Sequence, residues 1–314
     1  MDEAKIITRL DGGLGNQMFQ YAVGRSLSLR YNAPLYLDAS IYRSYTTRQY
    51  ALGVFNVAAE RLPAANSPLS ESSVLRSTGR ILGNLARRLP PFASSALSSL
   101  ITKKNTAIPQ GNAEQGFGPL CREKQEFEFD QTVLESPPPL YLMGFWQNEG
   151  YFLAYQDTIR HDFTLRLTVS PNVGDYQRMI ARQPSASLHI RRGDYVRGSA
   201  SPRLNVCSLD YYNNALRLLS SRTPDLSVFV FSDEIAWAKA HLKFGRTVFI
   251  EGCKDYEEMF LMSRCHHNII ANSSFSWWGA WLNPNKNKIV VAPQRWVNAD
   301  IGDRTPVPPD WVRI

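Results

Sequence analysis

Between Ser185 and Ala292 the chain repeats a single pattern, a short apolar run followed by an amphipathic stretch, and this constrains its fold more than any other feature. The apolar runs predict strands at Ser187–Ile190, Val228–Phe231, Val248–Ile250, Asn268–Ala271 and Lys288–Ala292. The stretches between them predict helices at Leu209–Leu219, Ile235–Leu242, Tyr256–Ser263 and Phe275–Leu282. Strands that alternate with helices in this way form a parallel sheet covered on both faces. Ligands of such sheets bind beyond the C-terminal ends of the strands. The N-terminal end reads as a second unit of the same kind: a strand at Lys5–Thr8, a glycine turn at Gly12–Gly15, a helix at Asn16–Arg30 and a strand at Pro34–Leu37. A length of 314 residues accommodates two lobes. The expected division is a first lobe over residues 1–165 and a second over 166–314.

The loops after the strands hold the candidate chemistry. In the first, Asp11-Gly12-Gly13-Leu14-Gly15-Asn16-Gln17, glycines let a backbone approach a phosphate, and the following helix offers its positive end. A tight turn explains the same residues. With Gly13 and Gly15 as the first two glycines of the dinucleotide fingerprint, Met18 takes the third position and the match fails. That weakens the alternative of a nicotinamide-dependent oxidoreductase. The second loop is His189-Ile190-Arg191-Arg192-Gly193-Asp194-Tyr195. Guanidinium groups at a sheet edge suit a dianionic ligand, which they bind in bidentate fashion; an internal Arg–Asp pair is the competing explanation. In the third loop, Ser232-Asp233-Glu234, Asp233 suits guanine, ribose or a helix cap. The fourth, Asn272-Ser273-Ser274-Phe275, gathers hydroxyls and N–H groups at a helix start, with Phe275 placed for a base and Trp277 and Trp278 for the core. Between the lobes, Gly144–Phe152 sets Trp146, Gln147 and Glu149 among aromatic rings, a composition suited to sugars and equally to a core turn. A non-catalytic carbohydrate-binding protein would explain that cluster but not Arg191 and Arg192.

Other classes find less support. The net charge of +7 favours an anionic partner, yet no basic stripe interleaved with aromatics speaks for nucleic acid. The four cysteines form no C-x-x-C pair, so free thiols in a reducing compartment are expected. Cys253 and Cys265-His266-His267 lack the spacing of a metal site. Glu126-Phe127-Glu128-Phe129-Asp130 alternates, which predicts a solvated edge strand rather than a metal-binding face. No apolar run is long enough to cross a bilayer, and Met1–Lys5 leads into a strand without the charged-then-apolar pattern of a signal peptide. A cytoplasmic protein is expected. Gly79–Leu89 reads as a basic amphipathic helix, a pattern shared by packed surface helices and by peripheral contacts at the inner face of a membrane.

Taken together, Gly12–Ala22 (GGLGNQMFQYA), His189–Val196 (HIRRGDYV), Val230–Glu234 (VFSDE), Ala271–Asn283 (ANSSFSWWGAWLN) and Gly144–Phe152 (GFWQNEGYF) resemble glycosyltransferase family 11, the α-1,2-fucosyltransferases. The resemblance implies an α/β fold that is GT-B-like, with two Rossmann-type lobes and the active site in the cleft between them. It implies inverting transfer of fucose from GDP-β-L-fucose to a galactose-containing glycan, giving Fuc-α1,2-Gal, in bacterial O-antigen or oligosaccharide biosynthesis. No metal or other cofactor is implied, because arginine takes the leaving diphosphate. Arg191 is then the β-phosphate ligand, and Asn16 faces the leaving phosphate or the acceptor from the opposite lobe. His189, Arg192, Asp233, Ser273, Ser274, Phe275, Gly13 and Gly15 fall on the donor side, and Trp146, Gln147, Glu149 and Tyr195 on the acceptor side. The related α-1,6 enzymes carry a glutamate base about ten residues after the motif histidine. Here Arg197-Gly198-Ser199 offers no carboxylate, which leaves Asp194 and Glu149 as candidates.

Overall fold

A computed structural model describes residues 4–45, 47–63 and 118–314. These form two sheets, both wholly parallel. The first runs β3-β2-β1-β5-β4, with β1 (Ile6–Arg9), β2 (Leu35–Asp38), β3 (Glu60–Arg61), β4 (Leu120–Arg122) and β5 (Leu140–Met143). The second runs β11-β10-β9-β6-β7-β8, with β6 (Ser185–Ile190), β7 (Ser227–Ser232), β8 (Thr247–Phe249), β9 (His267–Ile269), β10 (Val290–Ala292) and β11 (Val312–Arg313). This is the doubly wound order, whose ligand crevice opens where the winding reverses. Here the reversal falls between β6 and β9, and in the first sheet between β1 and β5. The fold is therefore α/β with two Rossmann-type lobes, GT-B-like as expected.

The helices are α1 (Leu14–Tyr31), α2 (Gln131–Glu135), α3 (Gln156–Asp162), α4 (Pro171–Ala181), α5 (Gly193–Arg197), α6 (Ser201–Leu204), α7 (Leu209–Arg222), α8 (Ile235–His241), α9 (Asp255–Arg264) and α10 (Ser274–Trp281). Alternate residues of β7 part to opposite faces, as the pleat requires. Val228 and Val230 pack under α7 and α8, whereas Phe229 and Phe231 join a core that runs on into the first lobe.

That shared core explains α1. The helix is buried on nearly every side, the pattern of a helix held between layers. Its Phe19 ring lies 4.5 Å from Trp277 and 4.9 Å from Trp278 of α10. Phe152 stacks on Trp278 at 5.3 Å, and Phe163 meets it edge-on at 5.0 Å. The indole Nε1 of Trp278 donates to the Gly15 carbonyl at 3.0 Å. Gly15 has a packing reason: a Cβ there would stand 2.5 Å from the Phe275 backbone nitrogen. Replacing a helical glycine by alanine normally gains about 0.5–1 kcal/mol. Gly15→Ala is expected to reverse that sign and cost about 1–3 kcal/mol as overpacking, read by denaturant unfolding.

One expectation needs correction. Glu126–Asp130 is a turn rather than a strand: Phe127 adopts φ 65° and is buried, while Glu126 and Phe129 face solvent. Its alternation reflects one anchoring ring, not a pleat. His266 and His267 are engaged by Ser185 and by Thr223 and the Ile289 N–H, and among the described residues no group of three or more metal-ligating side chains occurs. Gly79–Leu89 lies outside the described residues. Among them, no helix is long and apolar enough to cross a membrane.

Candidate active site

The reversal points of the two sheets meet. On the first lobe, the turn after β1 is pinned by amides of α1. Gln17 Nε2 donates to the Gly12 and Gln49 carbonyls at 3.2 and 2.8 Å, and its Oε1 accepts from the Ala51 N–H at 2.8 Å. Gln20 accepts from the Asp11 N–H at 2.9 Å and donates to the Gly144 carbonyl at 3.0 Å, tying this turn to the loop after β5. Asn16 then becomes the bridge between lobes. Its Oδ1 accepts from Gln147 Nε2 at 3.0 Å and from the Ser274 hydroxyl of α10 at 2.6 Å.

On the second lobe, β6 delivers His189, Arg191 and Arg192 to the sheet edge. The Arg191 guanidinium binds Asp194 at 2.6 Å and Asp233 at 3.2 Å, and lies 5.5 Å from the Tyr195 ring centre. Arg192 is held differently. Its guanidinium lies 3.8 Å over the Trp237 ring and pairs with Glu234 at 3.1 Å, and its backbone N–H donates to Asp233 at 3.0 Å. The internal Arg–carboxylate pairing thus occurs at both arginines. Arg48, from the first lobe, reaches Asp194 at 3.4 Å and adds a cation beside Gly13.

His189 is buried, with its ring 5.5 Å from Phe275. Burial, reinforced by Arg191, lowers its pKa to about 3, so it is a neutral imidazole. Its Nδ1 makes no hydrogen bond, which is unusual for a buried polar atom. Glu258, from α9, is pushed up to about 7 by burial, with Asp255 and Asp233 adding to the effect.

A cavity of about 220 Å³ lies between the lobes. Of the sequence-selected residues, Asn16, Gln147, Tyr195 and Ser274 line it. Residues expected on the donor side, together with Asp194, cluster next to Tyr195 and the start of α10, outside that lining: Arg191 with Asp194 and Asp233, and His189 with Phe275, beside Ser273. Trp146 does not serve as a sugar platform. It is fully buried, with φ 57°, and packs edge-on against Tyr151 at 5.5 Å. Phe145, beside it, is the exposed ring on the cavity. Glu149 is likewise elsewhere: its carboxylate accepts from Trp281 Nε1 at 3.0 Å, and burial raises its pKa.

Sequence reasoning missed Glu123 and Arg203 and set Glu126 aside as part of an edge strand, and all three line the cavity. Glu126 and Arg203 form an ion pair across the cleft. No local signal distinguished these residues, because each acts through a partner distant in the chain.

The model of glycosyl transferase family 11 matches residues 64–314. An α-1,2-colitosyltransferase of Escherichia coli is 33% identical, covering 98% of this chain and 98% of its own. The O-antigen biosynthesis glycosyltransferase WbnK of the same species is 32% identical, over 91% of this chain and 93% of its own. Among solved structures, the α-1,6-fucosyltransferase NodZ from Bradyrhizobium is similar over 90% of this chain and 93% of its own, at 14% identity and a TM-score of 0.48.

Proposed function

The chain belongs to glycosyl transferase family 11 and is a glycosyltransferase, and from that premise we propose that it moves L-fucose from GDP-β-L-fucose to the 2-hydroxyl of a galactoside with inversion. The observation that carries this reading is the convergence of the two sheet reversal points, with Arg191 at the rim of one and Asn16 joining both. Loss of a diphosphate is the difficult part of the reaction, since negative charge builds on the leaving oxygen. A fixed guanidinium aimed at that charge contributes about 3 kcal/mol in comparable sites. In the proposal the diphosphate competes with Asp194 and Asp233 for Arg191, and neutral His189 and Phe275 border the nucleoside. Arg192, stacked on Trp237, holds the loop in shape instead of binding phosphate. Asn16 and Gln147 address the acceptor hydroxyls. The reading needs no metal, so transfer is expected to continue at an unchanged rate in excess chelator, measured as GDP release.

A colitose donor is the second reading, because the α-1,2-colitosyltransferase aligns along nearly its whole length. The two sugars differ by one hydroxyl, at carbon 3. A site that hydrogen-bonds this hydroxyl rejects the sugar lacking it by as much as about 10⁴-fold. Incubation with both GDP-sugars and a panel of galactosides, followed by linkage analysis, tests the proposal. A clear preference for GDP-fucose with an α-1,2 product supports it, and turnover of GDP-colitose alone overturns the donor assignment.

A further inference from the structure

We infer that Glu123, immediately after β4, is the base that takes the proton from the acceptor hydroxyl. This assignment rests on the transfer reaction proposed above. The cavity has two carboxylates, Glu123 and Glu126. Glu126 is neutralised by Arg203 from the other lobe. Glu123 has no ion pair among the described residues; backbone amides hold it instead. Its Oε2 accepts from the Phe145 N–H at 2.7 Å, and its Oε1 from the Trp146 N–H at 3.1 Å. Neutral donors fix the carboxylate without cancelling its charge, and each oxygen keeps a lone pair. The loop is shaped to seat this side chain: a Cβ at Gly144 would stand 2.4 Å from the Glu123 Cβ.

The same loop connects Glu123 to the rest of the site. Phe145 and Trp146 grip the carboxylate, and the next residue, Gln147, bonds Asn16, which bonds Ser274 of the opposite lobe. The acid thus lies on the wall of the space where an acceptor meets the donor lobe. The other candidates are committed elsewhere. Asp194 lies outside the cavity lining, between the Arg191 and Arg48 guanidiniums, and Glu149 is bound to Trp281 away from the cavity. Burial raises the proton affinity of Glu123 against the opposing pull of the Phe145 and Trp146 amides, with Glu126 adding to the rise, the direction that favours a general base. The charged and titratable groups sharing the cavity wall with it are Glu126, Arg203 and Tyr195.

In the step itself, the acceptor oxygen forms its bond to the anomeric carbon as the bond from that carbon to the diphosphate oxygen breaks. The electron pair leaves with GDP, and the acceptor proton passes to Glu123. The carboxylic acid then returns the proton to solvent.

The test compares the wild type with Glu123→Gln and Glu123→Asp, using GDP-fucose, a galactoside acceptor and GDP titration. Glu123→Gln is expected to bind GDP within about twofold of wild type and to lose about 10²–10⁴-fold in transfer. The wild-type rate falls as pH drops through the raised Glu123 value, and that acid limb is absent in Glu123→Gln. Glu123→Asp keeps a displaced charge, so it loses rate yet retains an acid limb. It decides the matter should Glu123→Gln fail to bind GDP. Near-wild-type transfer in Glu123→Gln, or an unchanged acid limb in it, overturns the base assignment and leaves the transfer reaction standing. A wild type that binds GDP but transfers no sugar to any galactoside overturns both.

Discussion

Arg191→Ala is expected to lower kcat/KM for transfer by more than about a hundredfold, equivalent to at least about 3 kcal/mol of transition-state stabilisation. Two effects add in the same direction. The departing diphosphate loses its guanidinium, and Asp194 and Asp233, which Arg191 bridges in the structure, are left as neighbouring negative charges at the rim. The second effect also repels the donor, so KM rises as kcat falls. Arg191→Lys keeps a charge but not the two-pronged geometry that spans both carboxylates, and it is expected to recover only part of the loss. Arg192→Ala separates the two arginines. Because Arg192 stacks on Trp237 and pairs with Glu234, its removal should act mainly on stability. Steady-state kinetics with folding checked by circular dichroism distinguishes these outcomes, and near-normal turnover in a folded Arg191→Ala variant removes the role assigned to it.

Trp278→Ala is expected to cost about 3–5 kcal/mol of stability, the range for deleting a large buried aromatic side chain. The indole meets Phe19, Phe152 and Phe163 of the first lobe and Trp277 and Trp281 of its own, and closes a hydrogen bond to Gly15. Its loss opens a cavity and leaves that carbonyl short of a donor. The diagnostic is where the damage appears. Because the aromatic core belongs to both lobes, unfolding is expected to remain a single transition at a lower temperature in scanning calorimetry. If the lobes are independent, the C-terminal transition alone shifts and the first is unchanged.

Five of the six strands of the second sheet were legible in the sequence because each is a short apolar run ended by a polar turn, whereas the two-residue β11 offers no such run. The strand ends therefore selected the loops with Arg191, Asp233 and Ser274 without structural help. The readings that failed did so where local composition is ambiguous. In Glu126–Asp130 a single buried ring, Phe127, imitates the period of a strand. At Trp146 an aromatic beside amides matches a sugar platform as well as a core plug, and only the enclosed ring decides. Gly15 suggested a phosphate turn, whereas the nearest demand on it is the backbone of Phe275. Glu123 could not be found at all: its partners, the amides of Phe145 and Trp146, follow a stretch of chain that offers no readable period.

The close approach of Gly15 to the backbone at Ser274 and Phe275 bears on how new donor preferences are reached within such a family. Exchanging the C-terminal half between relatives looks attractive, since the two sheets are separate. The seam between them tolerates no added atom at its tightest point, so a grafted half must arrive with a matching surface around its tryptophans and with a partner helix that presents glycine there. Recombination is therefore expected to succeed when α1 and α10 are inherited as a pair, with the crossover placed in the loops outside them, and to yield insoluble hybrids when the two are drawn from different parents.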